Sequence, residues 1–253
     1  VDLTRFDEEE KLVKFLKRID QELKIRKEKF AIYNVASLSQ YEQKSGEKLP
    51  AILTIFDGFD TIKDTALEEA IESMINRLLR EGASLGCFVI LTALRSNSLK
   101  ISMSSNITSR LAFYLVDEGA SKEIIGRDAL IQQEIFGRAQ LKEDIPYAIQ
   151  VYLPTSGEGD IERLYNLEEE VKLIARSWTG VCPEPIPMLP NEVTLTHFSN
   201  HPKVLEMWSR GELPIGFDKE TTDPQGFVPD RDGYFEFLYD TPQQLEYCEN
   251  SLI

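Results

Sequence analysis

The sequence predicts an α/β fold in which helices flank a parallel sheet. Two short apolar runs, at residues 51–56 and 87–91, lack the alternation of a half-exposed strand, and this is typical of strands buried on both faces of a parallel sheet. Between them, apolar residues at three- and four-residue spacing predict a helix that starts near Thr65 and ends at Gly82. Strand, helix and strand of this kind form a parallel βαβ unit.

The composition limits the classes of protein to which the chain can belong. It has 253 residues and a formal net charge of −15, and no apolar run approaches the ~20 residues needed to span a bilayer. Three widely spaced cysteines (Cys87, Cys182 and Cys248) indicate neither a disulfide framework nor a zinc site, and they fit a reducing, cytosolic setting. The acidic charge argues against a surface that follows a nucleic-acid backbone.

The other elements follow from local patterns. A first amphipathic helix is predicted over about residues 7–30, followed by a polar stretch that leads to Pro50 and the first strand. Thr65-Ala66-Leu67-Glu68 has the form of a capping box at the start of the second helix. We expect three further strands that extend the same sheet, at residues 110–116, 138–141 and 147–153, and helices at residues 121–125 and 160–178.

A proline-rich segment divides the chain. Residues 182–190 contain four prolines, which is typical of a semi-rigid connector between domains. We therefore predict a first module over residues 1–157, a closing helix and linker over residues 158–190, and part of a second module over residues 191–253. In that last part we expect a helix at residues 204–208, strands at residues 213–216 and 234–238, and a helical stretch after Pro242.

Asp57 follows the first buried strand directly. A carboxylate at the carboxyl end of a parallel strand lies where open α/β sheets bind ligands, and in P-loop ATPases such an aspartate helps to hold Mg²⁺. This is the Walker B arrangement. An acid also ends many strands for structural reasons, so the motif alone leaves both interpretations open.

Several further motifs occur in a fixed order, and together they carry a resemblance. They are Arg26, Leu49-Pro50, Arg80-Glu81-Gly82-Ala83-Ser84-Leu85-Gly86, Val89-Ile90-Leu91-Thr92-Ala93-Leu94-Arg95, Asn106-Ile107-Thr108-Ser109-Arg110-Leu111-Ala112 and Phe136-Gly137-Arg138-Ala139. In this order they resemble the ATPase domains of the FtsK/SpoIIIE family, most closely the EssC-like motor ATPases of type VII secretion systems. Leu213-Pro214-Ile215-Gly216-Phe217-Asp218 is similar to the segment that opens another such module.

The resemblance implies a RecA/P-loop NTPase-like fold, with one incomplete module followed by part of a second. It implies ATP and Mg²⁺ as ligands of the parent protein, with Asp57 associated with the metal. The phosphate loop of the first module is expected upstream of Val1, so no cofactor is expected to bind this chain alone.

The resemblance also implies partners and a location. The expected partners are other ATPase modules of the same protein, small helical WXG-family secretion substrates, membrane subunits of the secretion complex and further copies in a homo-oligomer, with no nucleic acid favoured. The expected location is the cytoplasmic face of the cell membrane, as a soluble segment of a membrane-anchored protein.

The chain departs from the family pattern at three points. Gly58 stands where many relatives have the glutamate that orients the attacking water, and Leu94 replaces a sensor glutamine. Residues 239–244, where the second phosphate loop should lie, contain neither glycine nor lysine. We therefore expect weak or absent hydrolysis in these modules, although Gly58 can equally serve a tight turn.

Other side chains are secondary candidates. Asp60 can share the metal site at a distance or be a loop acid or cap, while Arg95 is sensor-like and Arg110 a possible arginine finger, each with a structural ion pair as the alternative. Arg127 and Arg138 are further candidates for phosphate or trans-subunit contacts. His197 and His201 have a spacing that can share a metal on a helix, but Pro202 and the lack of nearby ligands argue against it.

Two alternative functions stay open from the sequence. A DNA-pumping translocase of the same family should carry a basic reader domain and a basic channel face, and neither is visible. A catalytically silent scaffold for substrate recognition differs from a nucleotide-binding module in its affinity for ATP.

Overall fold

A computed structural model describes residues 3–130, 133–233, 236, 238 and 240–243. The chain forms two compact units. The first unit contains Leu16–Cys182 with Arg5–Glu9, and the second contains Glu10–Phe15 with the chain from Pro183 onward. The division into modules at residues 157 and 190 stays a prediction.

The first unit alternates helices with short strands. In chain order, its elements are α1 (Glu9–Ile32, whose residues 10–15 belong to the second unit), α2 (Leu38–Ser45), β1 (Ile52–Phe56), a 3₁₀ helix (Phe59–Ile62), α3 (Glu68–Arg77), a π-helix (Leu78–Gly82), β2 (Cys87–Leu91), a 3₁₀ helix (Ser96–Ser98), α4 (Ile101–Ser104), β3 (Leu111–Phe113), α5 (Glu118–Ile125), β4 (Arg138–Leu141), β5 (Tyr147–Gln150) and α6 (Asp160–Ser177).

The predicted first helix is confirmed as α1, which begins and ends two residues later than expected. Leu16, Ile19, Leu23 and Phe30 are buried at the three- and four-residue spacing that indicated the helix. The polar stretch after it contains a second helix, α2, that the sequence analysis missed. Ser37 caps α2 by accepting a hydrogen bond from the Gln40 N–H, and Tyr41 is its buried residue.

The predicted parallel pair is confirmed, with Ile52 opposite Cys87 and Phe56 opposite Leu91. Burial on both faces is wrong, because the strands alternate. Thr54 and Phe56 are buried, whereas the apolar side chains of the opposite face are exposed, namely Leu53, Ile55, Phe88 and Ile90. Other described residues therefore cover only one face of this pair.

The start of α3 differs from the predicted capping box. The Thr65 hydroxyl donates to the Ile62 carbonyl at 2.7 Å, and the Glu68 carboxylate accepts from the Asp64 N–H at 2.8 Å. The two side chains therefore do not form the reciprocal hydrogen bonds of a capping box. A turn precedes Glu68, and its carboxylate reaches back four residues to Asp64 instead of three to Thr65. Gly82 is the last residue of the π-helix, and the position requires glycine because a Cβ there would lie 2.4 Å from the Cys87 carbonyl oxygen.

The later strands do not extend the β1–β2 sheet, which corrects the prediction. β3, β4 and β5 form a separate antiparallel sheet in that order. β4 has the predicted bounds, whereas β3 and β5 are shorter than expected, because they pair with β4 over only three and four residues. Gln140, which is 1% exposed, connects this sheet to α5 through the Ser121 hydroxyl and to the loop after α5 through the Leu130 backbone.

α6 is a solvent-exposed helix. None of its residues is buried, and its apolar side chains at helical spacing face solvent. The exposed members of this stripe include Ile161, Leu164, Leu167, Val171 and Ile174. No helix in the described part of the chain is both long and apolar enough to cross a membrane.

From Pro183 onward, the described residues of the second unit form three short helices and a two-stranded sheet. Its elements from Pro183 onward are α7 (Leu195–Ser199), α8 (Pro202–Ser209), β6 (Leu213–Phe217), β7 (Pro224–Phe227) and α9 (Pro229–Asp232). The helix and strand expected at residues 204–208 and 213–216 are confirmed within α8 and β6. β7, which pairs antiparallel with β6, was missed. The strand expected at residues 234–238 and the helical stretch after Pro242 lie largely outside the described residues.

Candidate nucleotide-associated site

Asp57 lies at the carboxyl end of β1, as the Walker B interpretation requires. Because β1 and β2 are parallel and in register from Ile52 to Phe56, the residues that follow both strands meet at one edge of the sheet. Asp57 is exposed there. Its carboxylate is therefore accessible to a ligand at this edge.

Thr92, the first residue after β2, holds the turn that contains Asp57. Its N–H donates to the Phe56 carbonyl at 3.0 Å, and its own carbonyl accepts from the Phe59 N–H at 2.8 Å. Its hydroxyl donates to Asp57 Oδ1 at 2.5 Å and accepts from the Gly58 N–H at 2.8 Å. Residues 56–59 are thus all hydrogen-bonded to Thr92, and we call this arrangement the Thr92 clasp.

Gly58 has a left-handed backbone, with φ of 69° and ψ of 51°. A Cβ there would have room, since the nearest heavy atom, Thr61 Cγ2, would be 3.9 Å away. The conformation, not the space, is what favours glycine, because left-handed backbone costs a residue with a Cβ about 1–2 kcal/mol. The geometry supports the tight-turn interpretation of Gly58.

Asp60 points toward the segment after β2. Its Oδ2 accepts from the Leu94 N–H at 2.6 Å, and its Oδ1 accepts from the Ser98 hydroxyl. Burial raises the pKa of Asp60, but the hydrogen bonds from Ser98 and Leu94 and the charge of Arg95 outweigh it and hold the pKa below its ordinary value. Both oxygens of Asp60 therefore accept hydrogen bonds from the segment after β2, and we call this pair of bonds the Asp60 staple. The arrangement favours a structural role for Asp60 as a loop acid over a shared metal site.

Leu94 and Arg95 lie at the same edge as Asp57. Leu94 is 83% exposed, and its backbone N–H donates to Asp60. Arg95 is exposed, and its charge acts on Asp60. The structure thus brings together three of the four predicted site residues, Asp57, Asp60 and Arg95.

Arg110 does not join this cluster by any described contact. Its guanidinium donates to the carbonyls of Ile107 and Ile124, each at 3.3 Å, and to that of Ser104. All three acceptors are neutral, and none of the ion pairs among the described residues includes Arg110. Its role as an arginine finger stays a prediction. Of the other two arginines, Arg138 donates to the Gln150 amide oxygen and Arg127 is exposed.

The two histidines belong to the second unit. His201 caps α8, where its Nδ1 accepts from the Lys203 N–H at 3.3 Å, and its ring packs edge-on against Phe217. Among the described residues no cluster of three or more His, Cys, Asp or Glu side chains could enclose a metal ion.

Mg²⁺ nevertheless suits the Asp57 edge. It is a hard cation that usually keeps several waters and is bound through one or two carboxylates together with substrate phosphates, so it needs no all-protein cage. With Oδ1 bonded to Thr92, Asp57 presents Oδ2 as one hard oxygen. The donor set fits a nucleotide-bound Mg²⁺.

The chain is similar to known secretion proteins over most of its length. No protein-family profile matches it. It is 33% identical over 224 residues to the ESX secretion system protein EccC of Geobacillus thermodenitrificans, a match that covers 88% of this chain and 15% of the relative. The chain belongs to the EssC/EccC family of type VII secretion proteins.

Solved EssC structures confirm the fold class. ATPases 2 and 3 of EssC from Geobacillus thermodenitrificans superpose with a TM-score of 0.82 at 32% identity, covering 90% of this chain and 43% of that one. The cytoplasmic domain of EssC superposes with a TM-score of 0.73 at 29% identity, covering 99% of this chain and 49% of that one. The α/β, P-loop NTPase-like class and the EssC resemblance are both confirmed.

One residue of this EssC/EccC site escaped the sequence analysis. Thr92 was noted only as part of the strand motif, yet it contacts every residue from Phe56 to Phe59. A signal was present, because Thr92 directly follows the second apolar run and Asp57 directly follows the first. Polar residues that end adjacent parallel strands are expected to meet at one sheet edge.

Proposed function

We propose that the chain is part of the motor ATPase of a type VII secretion system, and that its first module holds Mg-ATP at the Asp57 edge with little or no hydrolysis. The observation that carries the proposal is an exposed aspartate at the carboxyl end of a parallel strand in a member of the EssC/EccC family. Since the chain spans about 15% of that relative, the activity of the whole protein belongs to this proposal.

The proposed lack of turnover rests on the two substitutions at the edge. Gly58 has no carboxylate to orient a water, and its left-handed backbone disfavours a glutamate in the same turn. Leu94 offers no polar side chain to a γ-phosphate, and its backbone N–H is taken by Asp60. Bound ATP would then stabilise a conformation or an interface without being consumed.

The proposed partners follow from the family. They are the other ATPase modules of the same protein, small helical WXG-family substrates, membrane subunits of the secretion complex and further copies of the protein. The proposed location is the cytoplasmic face of the membrane, which agrees with the description of a solved relative as the cytoplasmic domain of EssC. The net charge of −15 favours protein substrates over DNA.

Gly58→Glu and Gly58→Ala test whether a missing base silences the site. Both variants, made in a longer chain that includes the complete first module, impose the same left-handed strain of about 1–2 kcal/mol and should lower the thermal midpoint similarly. Only glutamate adds a carboxylate, so Gly58→Glu should hydrolyse ATP at least about tenfold faster than Gly58→Ala, below the usual ~10²- to 10⁴-fold gain from a general base.

Steady-state ATPase rates and thermal midpoints should be measured on the same two samples. Equal rates for the alanine and glutamate variants would mean that the absent carboxylate does not limit turnover, and the silenced-site account would then be wrong.

A further inference from the structure

The Thr92 clasp contains two kinds of hydrogen bond. The Thr92 backbone donates one hydrogen bond to Phe56 and accepts one from Phe59, and any residue at this position except proline can form both bonds. Those made by its hydroxyl, to Asp57 Oδ1 and from the Gly58 N–H, require a side-chain oxygen. The hydroxyl is therefore a specific addition to a turn that the backbone bonds already close.

The hydroxyl has a defined direction. It carries one proton, and because its oxygen accepts from the Gly58 N–H at 2.8 Å, that proton is free to point at Asp57 Oδ1, 2.5 Å away. A bond from a neutral donor to a carboxylate is charge-assisted and stronger than one between neutral groups. The Asp57 carboxylate is thereby fixed in rotation, with Oδ2 left as its free oxygen.

We propose that Thr92 is a positioning residue for Asp57, which orients the carboxylate so that Oδ2 alone meets a nucleotide-bound Mg²⁺. This role rests on the proposed nucleotide site and adds a residue to it. Partners that hydrogen-bond a metal-binding carboxylate typically change metal affinity by about 10- to 100-fold when they are removed. Thr92 occupies that position relative to Asp57.

The test compares threonine with side chains that keep or lose the hydroxyl. In a chain that includes the complete first module, Thr92→Val and Thr92→Ala remove the hydroxyl and Thr92→Ser retains it. Thr92 is exposed, so these changes should leave the fold intact. Thr61→Val is the matched control, because the Thr61 hydroxyl donates to the Gly58 carbonyl at 2.8 Å in the same turn without touching Asp57.

The measured quantity is the Mg²⁺ concentration at half-maximal ATP binding, followed by calorimetry, with ATP affinity in EDTA as the reference. We expect that concentration to rise about tenfold in Thr92→Val and Thr92→Ala and to stay near wild type in Thr92→Ser and Thr61→Val. Amide hydrogen exchange at Gly58 should accelerate in the valine and alanine variants, because the acceptor of its N–H is lost.

Three results would overturn the role. They are an unchanged or lower Mg²⁺ requirement in both hydroxyl-free variants, a serine variant that behaves like valine, and an effect of Thr92→Val that persists in an Asp57→Ala background, where the acceptor of the Thr92 hydroxyl is absent. A wild-type chain without any Mg²⁺-dependent ATP binding is a different result, because it would refute the proposed function itself.

Discussion

The two acids at the sheet edge differ in their hydrogen bonds. Asp57 is exposed and has one carboxylate oxygen free of Thr92, whereas both carboxylate oxygens of Asp60 accept hydrogen bonds. The position of Asp57 was predictable from the apolar run before it. Its hydrogen bond was not, because the hydroxyl that donates to it belongs to Thr92, thirty-five positions later in the chain. Asp60 looked like a possible substitute for the missing glutamate. Its two oxygens instead bind Leu94 and Ser98, which a linear pattern could not indicate because both partners follow the next strand.

Asp60 should make stability depend on acid pH. Its pKa in the folded chain lies below the ordinary aspartate value of about 3.9, so its contribution is fully present above that pH and is lost as pH falls through the folded pKa. Asp60→Asn removes this contribution. The variant should be less stable than wild type at neutral pH, and the gap in thermal midpoint should narrow as pH is lowered below about 4.

The comparison isolates Asp60 because other carboxylates with lowered pKa values, such as Glu81 and Asp218, are the same in both proteins. Ser98→Ala retains the Asp60 carboxylate and removes one of its hydrogen-bond donors. The difference in thermal midpoint between wild type and Ser98→Ala should therefore also decrease as pH is lowered below about 4. If the difference in thermal midpoint between wild type and Asp60→Asn did not change with pH, the Asp60 staple would not depend on the charge of the carboxylate.

Among the elements, those with a strong local pattern were predictable and those defined by pairing were not. α1 and the parallel strands were found because each has a long amphipathic stripe or an uninterrupted apolar run. α2 was missed because Tyr41 is its only buried residue. The separation of β3, β4 and β5 from the first sheet was missed because strand partners are chosen by contacts distant in sequence.

Arg26 links α1 to the starts of both parallel strands. The residue is 1% exposed, and its guanidinium donates to Glu22 at 2.7 Å, to the Leu85 carbonyl at 2.8 Å and to the Pro50 carbonyl at 2.7 Å. Arg26→Met keeps much of the volume and leaves these acceptors without their donor. We expect a loss of about 3 kcal/mol in the free energy of unfolding, measured by urea denaturation.

Arg5→Met is the control, because Arg5 pairs with Asp7 on the surface, where both side chains are largely exposed, and its loss should have no measurable effect. Equal midpoints for the Arg26 variant and wild type would mean that the buried guanidinium does not hold the strands in place.

At the scale of the whole molecule, the family was predictable from the sequence, and the division into modules stays a prediction. The motifs indicated the EssC-like resemblance because their order along the chain is far more specific than any single motif. The exposed apolar faces of β1, β2 and α6 could not be foreseen, since local periodicity indicates which face is apolar but not what covers it.

The most direct test follows the fate of ATP on one sample of a chain that includes the complete first module. ATP binding should require both Mg²⁺ and Asp57, and the bound nucleotide should be recovered as ATP after prolonged incubation. Binding that Asp57→Asn leaves unchanged, or conversion to ADP at the ~1–10³ s⁻¹ of ordinary enzymes, would contradict the account.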